Sequence, residues 1–433
     1  MKKLLLTLAL MSNVLYGYPE FFQGKLGNGL RILVLPKQTY PNALVQVWYG
    51  VGSKDEIDGH TGLSHILEHM MFTGTKDTKD FTARVDQVGG SHNATTSYDY
   101  TNYYESVPPE NIADFLRLEA DRMQNLELTS DGIKNELKSI VEERMMRIDN
   151  NLSAKLYEQA MAALHMRGPY HHMIIGWMSD IKGTKTNDIN DWYKKWYAPN
   201  NALLVVAGPV DANEIFKLAN NYFGSIPAKT LPERTIRQDI ALTTNINFTL
   251  SSKSFAGDTV VMSFLAPSLV AAANEKDCYA LYLLACILVN GKNSILYHDL
   301  VDAGIANAVS SYYDMARQYN TNINFEFKLK NASNKAQALA KFFANIKKIA
   351  KGDIDSELLK RTRAMITADD VFEQDDFMAL VFSLAKYSII GLEPENRFKF
   401  ASKIAAVSKD DLKFVARKYL LSGMYSQQFM KGE

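Results

Sequence analysis

Two apolar periods alternate along this chain. From Gly27 the pattern is strand-like, GLRILVLP and then ALVQVWYGVGS, in runs rich in β-branched and aromatic residues. Over 62–72 the apolar spacing lengthens to that of a helix, and helical stretches return over 111–125 and 132–148. A helical DINDWYKKWYAP precedes the strand ALLVVAG, and ANEIFKLANNYFGSIP closes this half as a helix. Residues 228–239 are polar, contain Pro232 and read as a linker. The second half restarts in the same manner. INFTLSS and TVVMSFLAPS read as strands, 275–288 as a long apolar helix, and NINFEFKLK as a strand of the edge type. Helices are expected over 334–351, 356–368, 377–390 and 409–419. The order is α+β without a βαβ rhythm. Two similar domains are expected, each a mixed, mostly antiparallel sheet with packed helices, facing each other across a cleft. Their bounds are 18–227 and 240–433, about the linker 228–239.

Composition narrows the function. Hydrophobic residues are 47% and charged residues 22% of the chain, a globular balance. Lysine plus arginine equals aspartate plus glutamate, 48 against 48, which excludes a nucleic-acid or anionic-membrane binder driven by net charge. Two cysteines in 433 residues exclude a disulfide scaffold and a cysteine-ligated zinc cluster. Cys278 and Cys286 share one helical run, separated by roughly 12 Å of rise, too far to bridge. They read as buried apolar filler. Residues 1–17, MKKLLLTLALMSNVLYG, have the make-up of a secretory signal peptide: Lys2 and Lys3, an apolar core from Leu4 to Met11, then the small Gly17. That core is short for a bilayer span, and no other apolar run approaches membrane length. The expectation is a periplasmic or secreted mature chain with no stable membrane span and a formal charge of −2.

The strongest chemical signal is HILEH, His65 to His69. Imidazoles at i and i+4 project from one face of a helix, a spacing that suits two nitrogens on one Zn²⁺. Glu68 lies three residues after His65 and beside His69, so its carboxylate reaches the same face. The order inverts the familiar H-E-x-x-H but keeps its logic: two neutral histidines hold the metal, and a carboxylate takes a proton from water. The alternative is a helix with two surface histidines and a capping acid. Catalytic zinc usually has a third protein ligand. The helix NELKSIVEERMMRIDN offers Glu136, Glu142 and Glu143. Glu136 and Glu143 share a face, while Glu142 points about 100° from Glu143. Both Glu142 and Glu143 flank the apolar stripe of Ile133, Leu137, Ile140, Val141 and Ile148, so periodicity leaves them even.

At this point the chain resembles the pitrilysin, insulin-degrading enzyme and mitochondrial processing peptidase family, the inverzincins with H-x-x-E-H. GLSHILEHMMFTGT is similar to the family's metal helix. GGSHNATTSYDYTNYYESVP is similar to its substrate-side strand segment, and LRLEADRMQNLEL to the helix that follows. KNELKSIVEERMM resembles the helix of the distal glutamate, and WYAPNNALLVVAGPV the closing segment of the first domain. Together these cover most of residues 25–225; the second half is similar only loosely. The resemblance implies a zinc metalloendopeptidase with one Zn²⁺ per chain. It implies His65, His69 and Glu143 as metal ligands, which breaks the tie with Glu142. It implies Glu68 as the general base and Glu136 as a catalytic-site acid behind the ligands. Asn93, Ala94 and Thr95 match the strand that pairs with an extended peptide, held by main-chain hydrogen bonds.

One departure has consequences. Active family members carry an arginine and a tyrosine, seven apart, in the second domain, where they bind the substrate carbonyl. In the matching stretch, HDLVDAGIANAVSS, Val301 sits where arginine is expected and Asn307 roughly where tyrosine is. In two-chain members one subunit carries the metal and the other that pair. The resemblance therefore implies a metal-bearing subunit of a heterodimer, whose related partner supplies the pair. The alternative is a homodimer in which Tyr312, Tyr313 or another donor substitutes. A non-catalytic structural or chaperone-like subunit is a further alternative, but such members typically lose the H-x-x-E-H residues, which are intact here. His92, His165, His171 and His172 have no ligand spacing with the helix pair.

Overall fold

The computed structural model describes residues 19–234 and 237–433, so the signal-like segment 1–17 lies outside the described residues. The chain forms two units. The first comprises 19–144, 173–234 and Val381–Pro394; the second comprises Met145–His172, 237–380 and Glu395–Glu433.

The first unit opens with β1 (Phe22–Lys25), β2 (Arg31–Pro36) and β3 (Ala43–Tyr49). Helices α1 (Leu63–Met70) and α2 (Phe81–Gln87) lead into the hairpin β4 (Ser91–Thr96) and β5 (Thr101–Val107). Then come α3 (Ile112–Asn125) and α4 (Ser130–Arg144). The chain passes through the second unit with α5 (Leu152–Leu164). It returns with α6 (Met178–Gly183), α7 (Thr186–Trp196), β6 (Ala202–Gly208) and α8 (Ala212–Phe223). The sheet order is β1-β2-β6-β3-β5-β4. β2 and β6 run parallel, and the other pairs are antiparallel. β3 and β6 are buried along their whole length, which is why both read as nearly unbroken apolar runs. The one polar residue of β3, the buried Gln46, is not left alone: its Oε1 accepts from Trp48 Nε1 at 2.8 Å.

The second unit holds β7 (Ile246–Ser252), β8 (Asp258–Ala266), α9 (Lys276–Val289), β9 (Ala306–Tyr313) and β10 (Thr321–Leu329). α10 (Lys335–Lys351) and α11 (Ser356–Asp375) follow. Most of α12 (Phe377–Ile389) belongs to the first unit, and β11 (Tyr425–Gly432) closes the second sheet. That sheet has the order β7-β11-β8-β10-β9, with β7 and β11 parallel. Without β1, the two sheets have the same topology: in each, the last strand inserts between the first and second. The chain is thus α+β with two similar domains. α9 is buried on nearly every side and carries both cysteines, free and buried. Among the described residues no single helix is long and apolar enough to cross a membrane.

One strand differs from its sequence reading. β10, expected at an edge, lies between β8 and β9. Its alternation records two unequally covered faces rather than a free edge. The edges are β7 and β9, and most of β9 lies within the HDLVDAGIANAVSS stretch. The sequence reading also passed over α2 and α6, each under two turns long, and the alanine-rich α5.

Candidate metal and catalytic site

The site is built on α1, and α1 begins at a sharp corner. Gly62 has φ +89°, and a Cβ there would lie 2.6 Å from the Ile175 carbonyl oxygen. The carboxylate of Glu56 accepts from the amides of Gly62 at 2.7 Å and Ser64 at 2.8 Å, satisfying the first N–H groups of the helix. Burial pushes Glu56 up to about 8, against the pull of those amides. Gly176, φ +83°, packs so closely on Gly62 that its own Cβ would come within 2.5 Å of the Gly62 nitrogen. Around this double-glycine contact, Thr61 Oγ1 donates to Asp180 at 2.7 Å and accepts from the Trp177 amide at 2.8 Å. The buried Arg144 donates to the Gly176 carbonyl. One loop thus ties the start of α1 to the end of α4.

α4 packs beside α1 and delivers the distal acid. His65 and His69 stand one turn apart with ring centroids 4.8 Å apart. Glu143 Oε2 lies 3.6 Å from His65 Nε2 and 3.5 Å from His69 Nε2. Those separations are long for hydrogen bonds. They are close to the edge, about 3.3 Å, of a tetrahedron of ligands some 2 Å from a zinc ion. Among the described residues this is the one cluster of three such side chains whose donor atoms converge, all within 4.8 Å. Two imidazoles and one carboxylate are a donor set that suits zinc with a fourth position left for water or substrate. Glu136 Oε2 lies 3.2 Å from His69 Nδ1, which directs Nε2 of that ring toward Glu143. Glu142 is exposed and takes no part. Burial alone would lower His69, but Glu143 and Glu136, with Glu68, outweigh it and hold the ring above its ordinary value. The surroundings therefore favour positive charge.

Glu68 projects from α1 toward β4. Burial raises its carboxyl above the usual range, and Thr96 opposes the rise. The Thr96 hydroxyl donates to Glu68 Oε2. Sequence reasoning passed over Thr96, although it is the next residue after the NAT run. β4 ends the sheet, hydrogen-bonded on one side to β5. Asn93 and Thr95 are exposed on it and Ala94 is half-buried. Asn93 Oδ1 accepts from the Ala94 amide at 2.8 Å.

In the second unit, Val301 lies in a wide helical turn, Tyr297–Asp302. Asn307 on β9 reaches back to the Leu329 carbonyl at 3.4 Å. The Tyr313 hydroxyl is committed to the Pro267 carbonyl at 2.5 Å, whereas Tyr312 is 61% exposed.

This geometry has close parallels. Residues 31–175 match the family described as Insulinase (Peptidase family M16), and residues 185–366 match the Peptidase M16 inactive domain. Zinc protease PqqE of Helicobacter pylori is 30% identical across 99% of this chain and 96% of its own length. The beta subunit of mitochondrial-processing peptidase from Lentinula edodes is 23% identical across 91% of this chain and 86% of its own. The crystal structure of a protease from Helicobacter pylori superposes with a TM-score of 0.86 and 26% identity, over 96% of this chain and all of that one. The periplasmic protease PqqL from Escherichia coli shares the fold at a TM-score of 0.78 and 19% identity; the match covers 95% of this chain and 48% of that one. With both halves matched and a full-length relative at this identity, the chain belongs to peptidase family M16 and is a zinc metalloprotease.

Proposed function

We propose that this chain is an endopeptidase that cleaves extended peptides with a glutamate-activated water. The observation that carries the reading is the convergence of His65, His69 and Glu143, with Glu68 beside them on the same helix. His65 Nε2, His69 Nε2 and a Glu143 oxygen would hold the metal, and Glu136 would fix the His69 ring. Zinc supplies Lewis acidity, which acidifies water and polarises a peptide carbonyl. Glu68 takes the proton of the attacking water onto its carboxylate and returns it to the leaving amine. An extended substrate would add to the open edge of β4 at Asn93, Ala94 and Thr95. In this reading the metal-bearing domain is 18–227, and 240–433 is a second domain without a metal site.

The chain is further proposed to work as the metal-bearing half of a dimer. The stretch around Val301 lacks the arginine–tyrosine pair, and one relative is named as a beta subunit. A related second subunit would supply that pair. In a homodimer, Tyr312 is the better placed substitute, because the Tyr313 hydroxyl is already bonded. The signal-like residues 1–17 support export to the periplasm or beyond.

The test is Glu68→Gln. The variant should bind zinc at wild-type stoichiometry and cleave a quenched peptide at no measurable rate. Hydrolysis at the wild-type rate would refute the proton-transfer role. Assaying the chain alone and together with a co-encoded relative tests the dimer: full activity alone removes the need for a partner.

A further inference from the structure

Thr96 closes β4 and touches the machinery beside it. Its side chain is 8% exposed, and its hydroxyl donates to Glu68 Oε2. Glu68 is thereby held by a residue 28 positions away in sequence. The amides along β4 make the geometry informative. In a strand, residues two apart present their amides to the same side. Ala94 and Thr96 are such a pair, and neither amide is spent on β5. Ala94 donates to its neighbour's side chain, Asn93 Oδ1, while beside the Thr96 amide the Thr96 hydroxyl donates to Glu68. The Asn93 carboxamide is the occupant that an incoming strand can displace, since Asn93 is exposed. The Glu68 carboxylate is not, because it is anchored on α1 and bonded to the Thr96 hydroxyl. A peptide laid along this edge must end its ladder where Glu68 begins.

We propose that Thr96 is a positioning residue that joins the peptide-accepting edge to the general base and so sets which bond of a bound strand meets Glu68. The inference rests on the reading of Glu68 as base and β4 as the peptide edge. Removing the hydroxyl takes that hold away and leaves Glu68 free to rotate. The cost should fall on turnover and on cleavage register, and not on metal binding or on peptide affinity.

The experiment compares Thr96→Val, which keeps the shape and loses the hydroxyl, with Thr96→Ser, which keeps the hydroxyl. The full chain is used, with its relative added if the single chain is inert. With a quenched peptide, kcat of Thr96→Val should drop about tenfold to a hundredfold, with KM within about twofold. Thr96→Ser should recover most of the loss. Mass spectrometry of the products should show cleavage spread to neighbouring bonds in Thr96→Val. Zinc affinity, read by chelator competition, should match wild type in both variants. If Thr96→Val does not fold, Thr96→Ala carries the same readouts. Wild-type kcat with a wild-type cleavage pattern overturns the inference, and so does loss of zinc from a folded Thr96→Val. Glu68→Gln is assayed in parallel. If it hydrolyses peptide, the base reading fails and this inference with it. If it is inert while Thr96→Val is unimpaired, only the positioning role fails.

Discussion

A carboxylate behind a histidine ligand orients the ring and raises its basicity. In the proposed metal site Glu136 stands in that relation to His69. Glu136→Gln should weaken zinc binding by about tenfold to a hundredfold while leaving the fold intact, measured by chelator competition and thermal midpoint. Glu56 carries a pH signature of its own. Its carboxyl would titrate near the ordinary 4.5 in the unfolded chain and near about 8 in the folded one. The native state then binds more protons between those values. The group's contribution to stability is fully present below about 4.5 and is lost as pH rises toward about 8. The thermal midpoint should fall across that window, and Glu56→Gln should flatten this part of the slope. At this scale the sequence is legible where chemistry is local. His65, Glu68 and His69 share one helical turn or so, and spacing alone puts them on one face. Glu143 and Glu142 are not separable that way, because both flank the stripe that packs α4, and only the contact with α1 selects between them. Thr96 and Glu56 act across loops, where no period applies.

Among elements, the corner between α1 and the loop before α6 is the joint that sets the donors. Gly62 and Gly176 both hold left-handed backbone, and each lies where a Cβ would collide with the other's main chain or its neighbour's. Gly176→Ala should push the loop from Gly62, disturb the Arg144 bond at the end of α4, and lower zinc affinity more than it lowers the thermal midpoint. Equal loss of both would assign the joint to folding alone. A second element-scale device lies under β5. Arg122 of α3 pairs with Glu105 and Glu119, all at most 2% exposed, and its guanidinium sits 4.1 Å from the Phe81 ring centroid. Arg122→Met would strand two buried carboxylates. It should cost about 3–5 kcal/mol in denaturant unfolding. The pattern of apolar positions located most strands and helices because each buries one face or both. It misplaced β10 because alternation reports faces and is silent about edges, which depend on which strand comes next to it.

In the whole molecule, the repeat of one sheet topology in both units accounts for the similar element order of the two halves, although no motif string recurs. The division between the units is less visible in sequence. A polar stretch at 228–239 marks one crossing, but the chain also changes unit at 144, 172, 380 and 394. Those at 144, 380 and 394 fall inside or beside helices and that at 172 in a loop, and composition shifts at none of them. Residues Val381–Pro394 complete the first unit from far along the chain. Phe382 lies 5.6 Å from the Trp48 ring and 4.9 Å from the Tyr104 ring, and the Ser388 carbonyl accepts from Arg31 at 2.7 Å. Because the chain crosses between the units five times, calorimetry should record one transition; two well-separated transitions would show the units to be independent. The same borrowed helix bears on protein engineering. A gene fragment stopped at the polar stretch would encode the half proposed to bear the metal with Trp48 and Tyr104 uncovered, so a minimal enzyme would have to be made by grafting the helix onto the fragment rather than by truncation.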